Sequence, residues 1–554
     1  MERIEDRLAA LVRDALAALG GEGVEVVLDA PRVRAHGDFS TNAAMRLAAT
    51  TGRVPRDVAA ELVAALPASP YVERAEVAGP GFVNLFLTPA WLHEAVRAAL
   101  AEGADYGRAP RNGRSVQVEF VSANPTGPLH LGHARNAAIG DGLASLLDAA
   151  GWRVEREYYF NDAGLQMERF GATVEARYLQ RFGRPAEVPE DGYPGEYVVD
   201  VAADIARVHG DALLGLPAEE RVARLRTEGA ERVLAMIRSS LDRFGVRYDS
   251  YVSEREFHEA GEIEAAIARM RERGHVYDAD GAVFFRSTDF GDDKDRVLVR
   301  SNGAPTYFAA DCAYLGRKFA RGFDRLIYVW GADHHGDVAR VRGAASALGH
   351  DPDALEMILY QWVSLVRDGE AVAMSKRGGT FVTLDDLLDE IGTDAARFLL
   401  LSRSGDSPIE IDLALAASQT MDNPVFYVQY AHARIASMLR TAAERGVEAG
   451  ELAAADLALL ATEAEVDLMR RIADLPGQVL VAADLRAPHR IVHHVQEVAA
   501  AFHRFYADCR VVGEAPPLAA ARLWLARAAK VAIGNALGLV GVAAPESMER
   551  LDAD

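Results

Sequence analysis

The chain has 554 residues, and its 60 basic and 82 acidic side chains leave a formal net charge of −22. Half of the residues are apolar and about a quarter charged, the profile of a globular protein of several domains, which excludes disorder, collagen-like repeats and a disulfide scaffold. Cys312 and Cys509 are the only cysteines. No CxxC zinc motif can form, no zinc is expected, and a reduced, cytoplasmic setting is the natural expectation.

The acidic balance disfavours a nonspecific polyanion binder and leaves room for one confined basic surface. Only four lysines are present, Lys294, Lys318, Lys376 and Lys530, so 56 of the 60 basic residues are arginine. That bias fits a GC-rich coding sequence. Against it, a retained lysine is either a random leftover or a position that arginine cannot fill, because the two cations differ in shape and hydration.

In chain order, Ile4, Leu8, Leu11, Ala15 and Leu19 form the apolar stripe of an opening helix, with no h-region of a secretory signal. A helix after Val54, a strand near 71–77 and a strand over 79–87 follow, with Val83, Leu85 and Leu87 alternating. A helix over 91–101 and a polar linker over 103–114 close a small α/β module. A strand over 116–121, a Pro/Gly loop and a helix over 132–150 then read as the opening βα unit of a parallel sheet. Charged helical segments fill 162–273. Strand-like pieces return at 282–285, 296–300 and 325–330, and after Asp412 the pattern is helical to the end. The longest apolar stretch, 532–545, is too short for a bilayer and is interrupted by Asn535, so no membrane segment is expected.

The densest chemical signal is Ala123-Asn-Pro-Thr-Gly-Pro-Leu-His-Leu-Gly-His133, between the first sheet strand and its helix. A helix N-terminus offers unpaired N–H groups and partial positive charge to phosphate. His130 and His133, three apart, can point the same way, and Gly132 allows close backbone approach. An ordinary turn with two surface histidines, or a metal pair, would fit the same residues. The second signal is Met374-Ser-Lys-Arg-Gly-Gly-Thr, which holds Lys376; alone it would equally suit a solvated basic turn.

Taken together, HLGH and AMSKR resemble the HIGH and KMSKS signatures of class I aminoacyl-tRNA synthetases. The segment from Val118 to His133, Gly331-Ala-Asp-His-His-Gly and Asn423-Pro-Val-Phe-Tyr-Val-Gln-Tyr-Ala-His-Ala-Arg are similar to segments of the arginyl-tRNA synthetase family. So are Gly37-Asp-Phe-Ser-Thr-Asn and Gly541-Val-Ala-Ala-Pro-Glu-Ser-Met, and the matches run in family order along the whole chain. Ala373 departs from the pattern, standing where the signature has its first lysine; Lys294 is a candidate substitute for that charge.

The resemblance implies an α/β fold: a Rossmann-type nucleotide-binding catalytic domain with a helical insertion, preceded by a small α/β tRNA-binding module and followed by an all-α anticodon-binding domain. The expected bounds are 1–108, 109–412 and 413–554, with the insertion over about 162–280 and the signature loop over 373–380. It implies an arginine–tRNA ligase in which His130, His133 and Lys376 are catalytic. Gly132, Asp333, His334 and Ser375 join those three residues at ATP, with Mg²⁺ accompanying the nucleotide. Glu119, Asn124, Tyr307 and Asp311 are implied to bind L-arginine, with Asp311 on the guanidinium and Tyr307 closing the pocket. Those last two, four apart, would share a helix face.

Phe82 and Asn84 share one strand face, fit for stacking and hydrogen-bonding a base, and the resemblance suggests the tRNA D-loop. Tyr427, Tyr430 and Arg434 form one helical stripe, which packs into a core or meets anticodon bases; family position favours the bases. Partners are therefore tRNA(Arg) and L-arginine, with no membrane and a monomer expected. Another class I synthetase, or a noncatalytic tRNA-binding relative, are the competing readings.

Overall fold

The computed structural model describes residues 3–31, 33–367, 369–372 and 382–548. At its centre lies a five-stranded parallel sheet in the order Leu355–Tyr360, Arg325–Gly331, Ser115–Glu119, Arg153–Phe160 and Ser250–Ser253. The first strand in sequence is thus the middle one, and the chain runs outward from it in both directions. That reversal opens a crevice at the carboxyl ends of the strands.

Parallel strands are covered on both faces, and alternate residues show it. Val116, Val118, Ile327 and Val329 join a core with the helix Leu131–Ala149. Leu326, Tyr328 and Leu355 join a second core with the helices Tyr307–Ala320 and Asp337–Ala347. Gln117 and Glu119 alternate with Val116 and Val118, so they face this second layer.

The helix Leu131–Ala149 crosses its strand closely. A methyl group at Gly140 would come 2.2 Å from Phe120 Cγ, so any side chain here would force the helix or the ring to move. The turn from strand to helix is also tight. Val121 and Ser122 have φ of 66° and 46°, a region a β-branched residue rarely occupies. Buried Asn136 over-determines it: its Oδ1 accepts from the Val121 N–H at 2.7 Å, and its Nδ2 donates to the Val329 carbonyl at 2.9 Å.

Two expectations change here. The stretch expected to be a helical insertion does hold the helices Gly164–Arg181, Glu196–His209 and Ala218–Arg243, but it also contains the edge strand Ser250–Ser253. Four residues long, with only Val252 and Ser253 buried, that strand has too little alternation to stand out in the sequence. The strands Ala282–Phe285 and Arg296–Val299 do not join the parallel sheet. With Val276–Ala279 they form a separate antiparallel one.

The N-terminal module is an antiparallel sheet in the order Leu28–Asp29, Phe39–Thr41, Phe82–Leu87, Val72–Ala78, backed by helices Ile4–Ala18, Ala43–Thr51 and Pro55–Ala65. It rests on the C-terminal helices Pro424–Glu444, Glu463–Asp484, His489–Asp508 and Pro516–Leu539. Tyr106 donates to the Ile472 carbonyl at 2.9 Å, Asn535 Nδ2 to the Gly103 carbonyl at 2.8 Å, and Arg470 pairs with Asp38 at 2.5 Å. Fully buried Arg397 fastens three regions. Its guanidinium donates to Val540 and Phe244 carbonyls, each at 3.0 Å, and pairs with Asp141 of the HLGH helix at 2.5 Å. Among the described residues no helix is long and apolar enough to cross a membrane.

Candidate active site

A cleft of about 920 Å³ opens at the carboxyl ends of the central strands. Of the residues expected from the sequence, it gathers Glu119, Asn124, His130, Gly132, His133, Asp311, Asp333 and His334. Ala373, Ser375 and Lys376 lie outside the described residues. Tyr307 is not among the lining residues. It is the first residue of its helix, 47 % exposed, one helical turn before Asp311. Lys294 is exposed on the loop before Arg296–Val299 and is not among the residues lining the cleft.

The phosphate end is built by helix capping. His130 is the N-cap; its Nδ1 accepts the Gly132 N–H at 3.1 Å, and His133 Nδ1 accepts the His130 N–H at 3.2 Å. The rings stack with centroids 3.7 Å apart. A ring nitrogen that accepts a backbone N–H carries no proton, so each neutral imidazole holds its proton on Nε2. Burial, with the neighbouring His130, drives the His133 pKa down to about 3, and the ring stays neutral at physiological pH. Two Nε2–H donors and a helix N-terminus therefore share one place.

The chain that follows the second signature packs against the first. Leu131 donates to the Val382 carbonyl at 3.3 Å and Leu384 to the Leu129 carbonyl at 2.8 Å, while His130 bridges Thr383. Upstream, Val372 donates to Leu365 at 2.9 Å on the strand Val363–Arg367. The residues from Val382 to Leu384 thus lie directly against HLGH.

The opposite wall is acidic. Asp311 is open to the cleft yet hemmed in by protein on its other sides. Restricted hydration, with Glu254, Glu119 and Asp337 nearby, pushes its carboxyl up to about 7. Burial likewise raises Glu254, which accepts from the Tyr159 hydroxyl at 2.5 Å. Asn124 donates to Gln166 Oε1 at 2.7 Å and accepts the Asn161 N–H at 3.3 Å, which fixes its amide at the lip. Asp333 and His334 are exposed, and His334 Nδ1 lies 3.0 Å from Asp337 Oδ2.

Sequence reasoning missed several groups at this site. Asn136 and Tyr360 brace the floor, and Lys318 reaches Glu119 from behind. Only Lys318 had a signal in the sequence, the scarcity of lysine. Among the described residues no cluster of three or more His, Cys, Asp or Glu is arranged to hold a metal ion.

Away from the cleft, Phe82 is exposed at 37 % while Asn84 on the same strand face is 8 % exposed, so the ring is the more accessible of the two. Tyr427, Tyr430 and Arg434 are half-buried. The Arg434 guanidinium lies 4.7 Å from the centroids of both Tyr430 and Tyr506, and its Nη2 donates to the Tyr430 hydroxyl at 3.2 Å. Tyr506 and His503, on a different helix, complete an aromatic and basic cluster.

A switch-point cleft with a HIGH-type motif capping the helix at its mouth is the architecture of a class I aminoacyl-tRNA synthetase. The comparisons narrow this. Residues 95–186 and 219–421 match the family described as tRNA synthetases class I (R), catalytic domain. Residues 6–87 match the arginyl tRNA synthetase N terminal domain, and 428–548 the DALR anticodon binding domain. The chain is 47 % identical to the arginine–tRNA ligase of Desulforamulus reducens over 99 % of both chains. It is 50 % identical to that of Desulforudis audaxviator, over 94 % of this chain and 93 % of the relative. The solved arginyl-tRNA synthetase of Thermus thermophilus superimposes with a TM-score of 0.77 at 26 % identity, covering 98 % of this chain and all of that one. The chain belongs to the arginyl-tRNA synthetase family.

Proposed function

We propose that the protein is an arginine–tRNA ligase that activates L-arginine with ATP and transfers it to the 3′ end of tRNA(Arg). What carries the reading is one juxtaposition: the HLGH helix cap, against which residues 382–384 pack, shares a single cleft with the carboxylates Glu119 and Asp311. In the first step the arginine carboxylate attacks the α-phosphorus of ATP, and the bond to pyrophosphate breaks. In the second a hydroxyl of the terminal ribose attacks the arginyl carbonyl, and AMP leaves. The first nucleophile is already a carboxylate, so the protein needs to position and stabilise charge rather than supply a base.

In this reading the Nε2–H groups of His130 and His133 and the Lys376 ammonium hold phosphate oxygens, and Gly132, Ser375, Asp333 and His334 contribute to the ATP site. Mg²⁺ arrives as part of the ATP complex. Asp311, with Glu119 and Asn124, binds arginine, whose planar guanidinium carries five donors and needs converging acceptors. Tyr307, outside the cleft lining, would reach this site only on closure around substrate. Phe82, with Asn84 beneath it, serves the D-loop, and Tyr427, Tyr430 and Arg434 serve the anticodon. Cleft and both proposed tRNA surfaces belong to one chain, so a monomer would hold every part the reaction needs, and the reading places it in the cytoplasm with the rest of translation.

The test is ATP–pyrophosphate exchange across amino acids, with and without tRNA. Exchange driven by arginine supports the proposal. Exchange driven by glutamate, glutamine or cysteine would overturn the specificity, and silence with every amino acid in the presence of tRNA would favour a noncatalytic tRNA-binding protein.

A further inference from the structure

The acidic wall is held from behind by a side chain that has no part in the reading above. Lys318 lies on the helix Tyr307–Ala320 and is 1 % exposed. Its ammonium hydrogen-bonds Glu119 Oε2 and stands 3.8 Å from Glu157 Oε1. The rings of Tyr328 and Tyr314 flank it at 3.8 and 4.4 Å. Tyr314 lies within hydrogen-bond distance of Glu119 Oε2 at 3.0 Å and Glu157 Oε1 at 2.5 Å. Arg321 pairs with Glu157 Oε2 and with Glu155. The other oxygen of Glu119, Oε1, accepts from Ser122 at 3.0 Å, and both residues line the cleft.

Three carboxylates, Glu119, Glu155 and Glu157, thus meet two cations, Lys318 and Arg321. One negative charge is left over, and Glu119 is the member of the network that reaches the cleft. The cation behind Glu119 is one of four lysines in a chain whose other 56 basic residues are arginine. An ammonium is a point donor that takes Oε2 and leaves Oε1 to the cleft side. A guanidinium is a planar fork that engages both oxygens of a carboxylate at once. At position 318 it would give Glu119 the contact meant for the substrate.

We propose that Lys318 is a positioning residue for arginine recognition, holding Glu119 by one oxygen so that the other stays available to the substrate guanidinium. The proposal rests on the reading that Glu119 contacts arginine, and its test separates the two. In the full-length enzyme, Lys318→Arg, Lys318→Met and Glu119→Gln are compared in tRNA charging for arginine KM, ATP KM, kcat and pH profile, with thermal unfolding alongside. Lys318→Arg is expected to raise arginine KM about tenfold or more, with ATP KM and Tm nearly unchanged. Lys318→Met is expected to raise arginine KM and to move the acidic limb of kcat/KM for arginine to higher pH, because the carboxylates lose their cation.

A folded Lys318→Arg enzyme with arginine KM within about twofold of the parent overturns the proposal. Should that variant unfold, Lys318→Met decides: unchanged arginine KM and pH profile overturn it equally. Unchanged arginine KM in Glu119→Gln sinks the underlying reading instead. A raised value there with an unmoved Lys318→Arg sinks only the role of the lysine.

Discussion

The two ends of the cleft are built on different physical plans. At the amino-acid end, Glu119, Tyr314 and Lys318 are buried and mutually bonded before any ligand arrives. At the phosphate end, His130, Asp333, His334 and, at 72 %, Trp362 are exposed along the rim. A fixed cation of one shape is best met by acceptors already in place, since ordering them on binding would cost affinity. A reacting phosphate changes geometry and charge as its bond breaks, so donors at a rim, completed by substrate, suit it better. The support behind Glu119 is thus buried, whereas the capped histidine pair is offered at the rim.

The sharpest break of this contrast is Lys376→Ala. The adenylation rate should fall by about 100- to 1000-fold, typical of losing one charge-stabilising donor, while arginine affinity hardly moves. Pyrophosphate exchange with tRNA present, together with arginine titration, measures both; a normal rate would remove Lys376 from the mechanism. The converse is Asp311→Ala, where arginine affinity should drop by about 30-fold or more and ATP binding survive. Equal losses for both ligands would mean that the cleft is one undivided site.

A smaller effect comes from pH. With its carboxyl near 7 in the free protein, Asp311 is mostly protonated at pH 6 and mostly ionised at pH 8. Arginine prefers the ionised form, so arginine KM should rise about tenfold from pH 8 to pH 6. Asp311→Asn should flatten that dependence. The stability sign runs the other way. A carboxyl raised in the folded state stabilises most below the unfolded value of 3.8, and that contribution is lost as pH rises through about 7. Saturating arginine should therefore stabilise the protein more at pH 8 than at pH 6.

The smallest expected change is Gly140→Ala. Its new methyl meets Phe120, so the helix must shift, at about 1–3 kcal/mol. If the acidic end is as stiffly supported as its bonding implies, Tm should fall by a few degrees and arginine KM should rise. A lowered Tm with unaltered arginine KM would show that the support is more compliant than its bonding suggests.

How much of this could be read in the sequence follows from how local each signal is. The strand, loop and helix around HLGH were legible because their signals are contiguous, but the cap His130 makes on the Gly132 N–H was not read. The edge strand Ser250–Ser253 was not, because its identity comes from pairing with Glu157–Phe160, nearly a hundred residues earlier. Asn136 looked like any polar helix residue; what it does depends on a left-handed turn at Val121 and a carbonyl on another strand. Tyr307 and Asp311 do lie one turn apart on one helix, as their spacing predicted, with Tyr307 as its first residue. Lys318 could have been singled out by rarity, though not what it touches, since Glu119 is 199 residues away.

Arg397 carries a consequence for how such a protein can be taken apart. Its guanidinium is shared between the HLGH helix and the carbonyl of Val540, and a methyl at Gly541 would come 2.2 Å from Arg397 Nη2. The end of the last helix is therefore a structural component of the nucleotide site's own scaffold. A chimera that exchanges the C-terminal helices between relatives must carry over this arginine, its aspartate and the glycine as a set. A chain trimmed before Val540 would loosen the active-site helix while every residue lining the cleft remained in the sequence.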